Sequence, residues 1–125
     1  MWLQYWQIAY KMQKIPAPQR PAAFGAAMMN PALNELLASA AVNDKNHWNG
    51  YGTVTHDIHW GPPVDGENSA VMADCQDQSK FGVFDTTNDT ILSYGPSRVN
   101  VQATFEKTKA GWKLAKMFSP DGTTC

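Results

Sequence analysis

Cysteine is scarce in this chain, its charges are balanced, and it has no long apolar run. The 125 residues include two cysteines, and 10 Lys and Arg stand against 11 Asp and Glu, for a formal net charge of −1. This balance excludes the basic surface of a nucleic-acid-binding domain and a polybasic membrane patch. No stretch approaches the roughly 18 to 20 apolar residues that a membrane helix needs. Phosphate-binding glycine loops and nucleophile-elbow motifs are missing as well.

What the chain does have is apolar and aromatic content. Hydrophobic residues make up 43% of it, and five are Trp. That composition is too apolar for intrinsic disorder, and the length suits one ordinary domain with one core. We therefore predict a single domain spanning residues 1–125.

The two cysteines are Cys75 and Cys125. Neither has a Cys-x-x-Cys or Cys-His spacing around it, so a metal site or a reactive thiol is not indicated. We expect a structural disulfide that ties down the C-terminal tail. Closing a loop of about 50 residues is worth roughly 4 kcal/mol in the chain-entropy model. The alternative is two unrelated thiols in a reducing cytosol.

A disulfide implies an oxidising compartment, and hence an exported protein that is extracellular or in the cell envelope. Residues Met1–Trp6 lack the basic segment and apolar core of a signal peptide. Either an export leader or lipid anchor lies outside this chain, or the compartment inference is wrong.

The first third of the chain has the 3.6-residue period of helices. Trp2, Tyr5, Trp6 and Ala9 form one stripe of a first helix, which the proline-rich stretch from Ile15 ends. A short second helix is predicted over residues 21–29. A third is predicted to start at Asn30-Pro31, an N-cap followed by proline, and to end within residues 43–46.

After Gly50 the period changes to two, which indicates strands. Six are predicted, over residues 51–60, 69–75, 81–84, 91–94, 98–107 and 111–118, with a hairpin turn at 86–89. The predicted fold is α+β, with about three N-terminal helices packed on a curved, cone-like antiparallel sheet of about five to six strands.

Several short segments occur in a characteristic order: Tyr5–Met12, Asp74–Ser79, Gly95–Arg98, Gly111–Lys113 and the terminal Cys125. With the helices-then-sheet pattern, they resemble the nuclear transport factor 2-like (ketosteroid isomerase-like, cystatin-like) superfamily. Within it, the chain resembles small exported or lipoprotein-type proteins of actinobacteria, such as mycobacteria and streptomycetes, and of their phages. The resemblance implies a conical pocket, the same Cys75–Cys125 bridge, an export segment absent from this chain, and no assigned activity.

His56, Asp57 and His59 are the densest cluster of titratable residues. Side chains alternate along a strand, so the two histidines face opposite ways and do not share a metal. We predict no metal and no cofactor. If the apolar face of this strand points inward, His56 lies in the pocket as a candidate general base, with Asp57 as the second candidate catalytic residue. The alternative is a half-buried, hydrogen-bonded His56 with Asp57 and His59 at the surface.

Asp74 and Asp77 flank Cys75. Two carboxylates are too few ligands for a calcium or magnesium site, so turn formation and charge pairing are the expected roles. We predict that Arg98 forms an ion pair with Asp74 or Asp77 and holds that end of the sheet.

Two functions fit these patterns. The first is a non-enzymatic exported or envelope-associated accessory domain that binds a protein partner or a small apolar ligand, because bulky side chains narrow the cone. The second is a small pocket enzyme of the isomerase, cyclase or dehydratase type, with His56 as general base. A homodimer through the sheet is possible, no nucleic acid is expected, and membrane contact is expected only through a segment absent from this chain. Candidates for a ligand pocket or interface are Trp2, Tyr5, Trp6, Trp60, Met72 and Phe105, with core packing as the alternative for the first three.

Overall fold

The computed structural model describes residues 1–61, 67–120 and 125. In these residues helices come first and antiparallel strands follow, so the α+β prediction with three N-terminal helices is confirmed. The tail residues 121–124, which the disulfide was expected to tie down, lie outside the described residues. The helices are α1 Trp2–Tyr10, α2 Arg20–Gly25 and α3 Ala32–Asn46, with 3-10 turns at Met12–Lys14 and Ala17–Gln19. The strands are β1 Trp48–Gly52, β2 Ile58–Trp60, β3 Ser69–Gln76, β4 Phe81–Asp85, β5 Thr90–Tyr94, β6 Val99–Thr108 and β7 Gly111–Phe118.

The first helix buries its aromatic stripe. Trp2, Tyr5 and Trp6 are at most 8% exposed and belong to the hydrophobic core. Their spacing places all three on one side of α1, and that side faces the sheets. The helix ends at Tyr10, before the proline-rich turns that cannot continue it.

The second helix is shorter than predicted, ending at Gly25 rather than reaching Met29. Residues Ala27 and Met29 instead exchange backbone hydrogen bonds with Leu114 of β7, at 2.9 and 2.8 Å. This contact covers part of the outer edge of β7, which would otherwise offer unpaired backbone groups.

The third helix starts close to the predicted position. Pro31 is its N-cap residue, and the Asn30 side chain accepts a hydrogen bond from the Asn34 backbone N–H at 3.1 Å. That bond satisfies one of the free N–H groups of the first turn. The helix ends at Asn46, where His47 adopts a left-handed conformation.

The described strands form two sheets, which corrects the prediction of one curved sheet of five to six strands. The three-stranded sheet has the order β1-β4-β5 and the four-stranded sheet the order β2-β3-β6-β7. All strand pairs within the sheets are antiparallel. One isolated bridge, between Thr55 and Asp77, lies between the sheets.

The predicted strand over residues 51–60 is split, and Gly52 is the local cause. It adopts a φ of +79°, and a Cβ there would lie 1.7 Å from the Lys80 carbonyl oxygen. The strand therefore leaves the three-stranded sheet at Gly52 and resumes at Ile58 in the other sheet. Sequence periodicity does not register a break of this kind, since the alternation of residue types continues across it.

Candidate functional site

The best-connected polar group in the interior is the carboxylate of Asp74 on β3. Its side chain is fully buried, and Oδ2 lies 2.6 Å from His56 Nδ1. The same oxygen accepts hydrogen bonds from Trp2 Nε1 at 2.7 Å and from Gln76 Nε2 at 3.0 Å. The other oxygen accepts the backbone N–H of Asp57 at 2.8 Å. Four donors from three parts of the chain thus converge on one carboxylate.

These donors decide how Asp74 titrates. Burial by itself would raise the pKa of the Asp74 carboxyl, because it disfavours the charged form. The hydrogen bonds from His56, Trp2, Gln76 and the Asp57 backbone outweigh burial and lower the pKa below its ordinary value. Asp74 is therefore ionised in the folded protein at neutral pH.

The predicted ion pair between Arg98 and an aspartate is wrong. Asp74 is paired with His56 instead. Asp77 accepts hydrogen bonds from the Ser79 backbone N–H and hydroxyl, at 2.9 and 2.6 Å, and these bonds lower the pKa of its carboxyl. Arg98 donates to the Cys125 carbonyl oxygen at 2.9 Å. Arg98 thus binds the last residue of the chain, and Asp74 and Asp77 accept hydrogen bonds from other residues.

The histidine cluster divides between interior and surface. The His56 side chain is 14% exposed, whereas the side chains of Asp57 and His59 are 70% and 71% exposed. His59 Nε2 lies 3.1 Å from Asp57 Oδ1, so these two pair with each other in solvent. His56 and Asp57 both contact the Asp74 carboxylate, His56 through Nδ1 and Asp57 through its backbone N–H. In the part of the chain that the structure describes, no three His, Cys, Asp or Glu residues come together as metal ligands.

The aromatic candidates Trp2, Tyr5 and Trp6 pack against one another. The Trp2 and Tyr5 rings stack with centroids 5.3 Å apart, and Trp6 meets both edge-on. Burial, with a smaller contribution from the charge of Glu35, raises the pKa of Tyr5. The side chains of Trp2, Met72 and Phe105 fill the space under α1 and are at most 3% exposed. Trp2, Tyr5 and Phe105 are therefore core residues, the alternative expected for the first two.

Trp6 differs from the other buried aromatic residues in one respect. It is 92% buried, since 8% of its surface is exposed. Its indole N–H is buried, and no residue in the described ranges accepts a hydrogen bond from it. A buried donor without a partner is costly, of the order of 1 to 3 kcal/mol. The Trp6 ring also forms part of a cavity wall.

That cavity, which we call the Trp6 cavity, has a volume of about 210 Å³. It lies between α1 and the ends of β3, β6 and β7. Its wall is mainly apolar, its polar groups are two amides and a hydroxyl, and none of its described lining residues is charged. The lining residues are Trp6, Gln76, Gln78, Val101, Met117, Phe118 and Ser119.

Elsewhere, residues that the structure describes line two larger hollows. One of about 410 Å³ lies at the four-stranded sheet; Trp60, which is 49% exposed, lines it together with His59, Met72 and Phe118. The other, of about 340 Å³, lies where α1 meets the three-stranded sheet and includes Tyr10 and Lys14. Trp6, whose buried N–H lacks a partner in the described ranges, lines the Trp6 cavity and neither larger hollow.

Cys75 and Cys125 form a disulfide that closes a separation of 50 residues. Cys75 lies on β3 next to the buried Asp74, with its side chain on the opposite face of the strand. The bond is consistent with an oxidising compartment. No helix in the described ranges combines the length and apolar character that a membrane crossing needs.

Sequence reasoning missed three buried polar residues, Asp74, Gln76 and Arg20. Asp74 and Gln76 lie on the same face of β3 as the buried Met72, so the period of β3 was a signal for their burial. Arg20 is 5% exposed and donates to both carboxylate oxygens of Asp44, at 2.5 and 3.1 Å, and to the Ile15 carbonyl. No local pattern signals the burial of Arg20, because its partner Asp44 is 24 residues away.

Comparisons with known proteins inform the fold. No family model matches the chain, and no curated protein matches it in sequence. The crystal structure of the intermembrane space region of the chloroplast protein ARC6 is similar, with a TM-score of 0.57 and 13% sequence identity. The match covers 90% of this chain and 91% of that one. At this identity the likeness shows a shared α+β fold alone.

Proposed function

We propose that the protein is a non-enzymatic accessory domain that binds a small, neutral, mostly apolar ligand in the Trp6 cavity. The observation that carries the proposal is the Trp6 indole N–H, which is buried without a partner in the described ranges while its ring forms part of the cavity wall. A ligand oxygen that accepts this hydrogen bond would remove the cost of the unpaired donor.

The composition of the wall defines the ligand class. Because no charged residue is among the described lining residues, a charged ligand would be desolvated without compensation. Val101, Met117 and the Trp6 ring offer apolar contact. The volume of about 210 Å³ exceeds the roughly 150 Å³ that accommodates benzene and is below the roughly 300 Å³ of drug-sized sites. The ligand is thus about one ring with a few further atoms, including one acceptor oxygen.

A second polar contact is available at the two amides of the cavity wall. Gln78 Nε2 donates to Gln76 Oε1 at 2.6 Å, and Gln76 Nε2 donates to Asp74. This chain of hydrogen bonds fixes the two amides and leaves Gln78 Oε1 as an acceptor group near the wall. A ligand hydroxyl could therefore donate a hydrogen bond to Gln78 Oε1, just as a ligand carbonyl could accept one from the Trp6 N–H.

The exported or envelope-associated location belongs to the same proposal. The Cys75–Cys125 bond supports it, because such bonds persist in oxidising compartments. We also propose membership of the nuclear transport factor 2-like superfamily, with the two sheets forming one cone. The Thr55–Asp77 bridge between the sheets supports that reading.

The experiment compares two ligands of nearly the same shape. Acetophenone carries a carbonyl oxygen, and α-methylstyrene has a methylene group in its place. Each is titrated into the ¹⁵N-labelled protein while the indole N–H resonances of the five Trp are followed by NMR. We expect acetophenone to bind about two- to tenfold more tightly, the value of one net hydrogen bond. It should also move the Trp6 indole resonance downfield.

Two variants make the comparison specific. Trp6→Phe should abolish the difference between the ligands, while Trp48→Phe, which removes a half-buried Trp on β1 outside the cavity, should preserve it. Equal affinities for the two ligands, or an unmoved Trp6 resonance with acetophenone bound, would contradict the proposal. The Trp6 resonance would stay unmoved if the indole N–H donates to the face of the neighbouring Phe81 ring instead of to the ligand.

The enzyme is the second candidate, and one observation favours it. The buried Asp74 carboxylate orients His56 through Nδ1, the arrangement that prepares an imidazole to act as a general base through Nε2. Against it, His56 is not among the lining residues of the cavities described above. Perturbation of the His56 ring ¹⁵N resonances by bound acetophenone would favour the enzyme; no perturbation favours the binding domain.

A further inference from the structure

The outer strand of the three-stranded sheet is exposed along its whole length. All five residues of β5, Thr90–Tyr94, are exposed, and β4 is the one described strand that pairs with it. Its apolar side chains Ile91, Leu92 and Tyr94 are 49%, 46% and 65% exposed. The other edge of β5 therefore presents backbone N–H and C=O groups beside uncovered apolar surface.

Such an edge is usually protected. Proteins place lysine, proline or a covering segment at the edges of sheets to prevent pairing with another chain. The sequence of β5 contains no charged residue and no proline. Its one irregularity is a bulge at Leu92, which has no partner on β4. By contrast, the edge of β7 is partly covered by residues 27–29. An uncovered, uncharged edge suits the addition of a further strand.

The charges at the two ends of β5 identify the strand that would fit. Asp85 and Asp89 lie at the hairpin end, where β4 turns into β5. Lys80 and Arg98 lie at the other end, before β4 and after β5. In an antiparallel pair of two β5 strands centred on Leu92, the acidic end of each copy meets the basic end of the other. A parallel pair would bring like charges together.

We propose that β5 pairs with β5 of a second copy of this chain in the antiparallel direction, about a two-fold axis near Leu92. The two three-stranded sheets then join into one sheet of six strands. The contact is self-complementary, as a two-fold interface requires. One five-residue strand buries little surface, so the dimer is weak and the experiment must reach high protein concentration.

The experiment measures the average mass by sedimentation equilibrium from about 10 μM to 1 mM, under oxidising conditions. For the wild type we expect the mass to rise from 13.8 kDa towards twice that value. Leu92→Lys should weaken the association at least tenfold, because the lysine blocks the edge. The control is Val42→Lys, which changes an exposed apolar residue of α3 and should leave the association unchanged. If Leu92→Lys unfolds, Ile91→Lys replaces it.

A charge reversal tests the direction of pairing. Lys80→Glu should weaken the dimer by a few-fold, and adding Asp89→Lys should restore it, since each copy then carries the reversed pair. A protein that stays monomeric at 1 mM would overturn the proposal. So would a dimer that Leu92→Lys leaves intact, which would lie on another face, or a dimer that the double reversal does not restore. The acetophenone titration is done at low protein concentration, where the protein is monomeric. Its outcome is therefore independent of whether the dimer forms.

Discussion

Replacement of Asp74 tests whether one buried carboxylate holds the first helix to the sheets. In Asp74→Ala, four donors lose their acceptor. Those of Trp2 and Gln76 are fully buried, and those of His56 and the Asp57 backbone are only partly buried, so water reaches the latter pair. A buried donor without a partner costs about 1 to 3 kcal/mol, so two cost about 2 to 6 kcal/mol. This is a large part of the roughly 5 to 15 kcal/mol of a typical domain.

Asp74→Asn is the milder variant, because it preserves shape and one acceptor oxygen. Its amide nitrogen must still face at least one of the existing donors, so we expect a loss of about 1 to 3 kcal/mol. The assay is urea unfolding at pH 7 without reductant, followed by Trp fluorescence. The control is Asp57→Asn, whose side chain is 70% exposed and should change stability by less than about 0.5 kcal/mol.

The pH dependence provides a second measurement on the same variants. The folded-state pKa of Asp74 is lowered, so its ionisation stabilises the fold above the unfolded-state pKa, near 4. That stabilisation is lost as pH falls through the folded-state pKa. The difference in stability between wild type and Asp74→Asn should therefore be full at pH 6 and shrink below about pH 4. An Asp74→Asn protein as stable as Asp57→Asn, or a difference that grows on acidification, would refute the reasoning.

Three further predictions concern other contacts. Cys125→Ser should lower the free energy of unfolding by about 4 kcal/mol, the chain-entropy value for a 50-residue loop, and an unchanged urea midpoint would contradict it. Arg20→Lys should cost about 1 to 2 kcal/mol in the same assay, because lysine cannot donate to both oxygens of Asp44 as the buried guanidinium does. Gly82→Ala should destabilise strongly, since its Cβ would lie 2.0 Å from the Ser93 carbonyl oxygen. Gly25→Ala, with no atom within 4 Å, should leave the thermal midpoint unchanged or raise it; equal midpoints for the two glycine variants would argue against the close β4–β5 approach.

Local patterns predicted much of the fold. The aromatic spacing of α1, the Asn-Pro start of α3 and the limits of β7 follow from periodicity and capping, which act over a few residues. The missed features depend on distant partners. Gly52 interrupts a strand because the Lys80 carbonyl lies against it. Arg20 is buried because its guanidinium is paired with the carboxylate of Asp44.

The candidate site was predicted only in part. A half-buried, hydrogen-bonded His56 with surface neighbours was one of the two alternatives drawn from its strand. The identity of its partner was not predicted, because Asp74 and Asp77 were both considered as partners of Arg98, which was expected nearby in the sheet. The Trp6 cavity is a property of packing, and no spacing of residues signals a volume that neighbouring side chains leave unfilled.

The hydrogen bond from Trp2 to Asp74 joins residues that are 72 positions apart. During synthesis at about 5 to 20 residues per second, Trp2 therefore precedes its acceptor by roughly 4 to 14 seconds. For that interval the aromatic face of the first helix has no sheet to cover it. The first helix is thus secured only after β3 has been made, and until then the nascent protein presents a cluster of indole and phenol rings to any chaperone or membrane it meets.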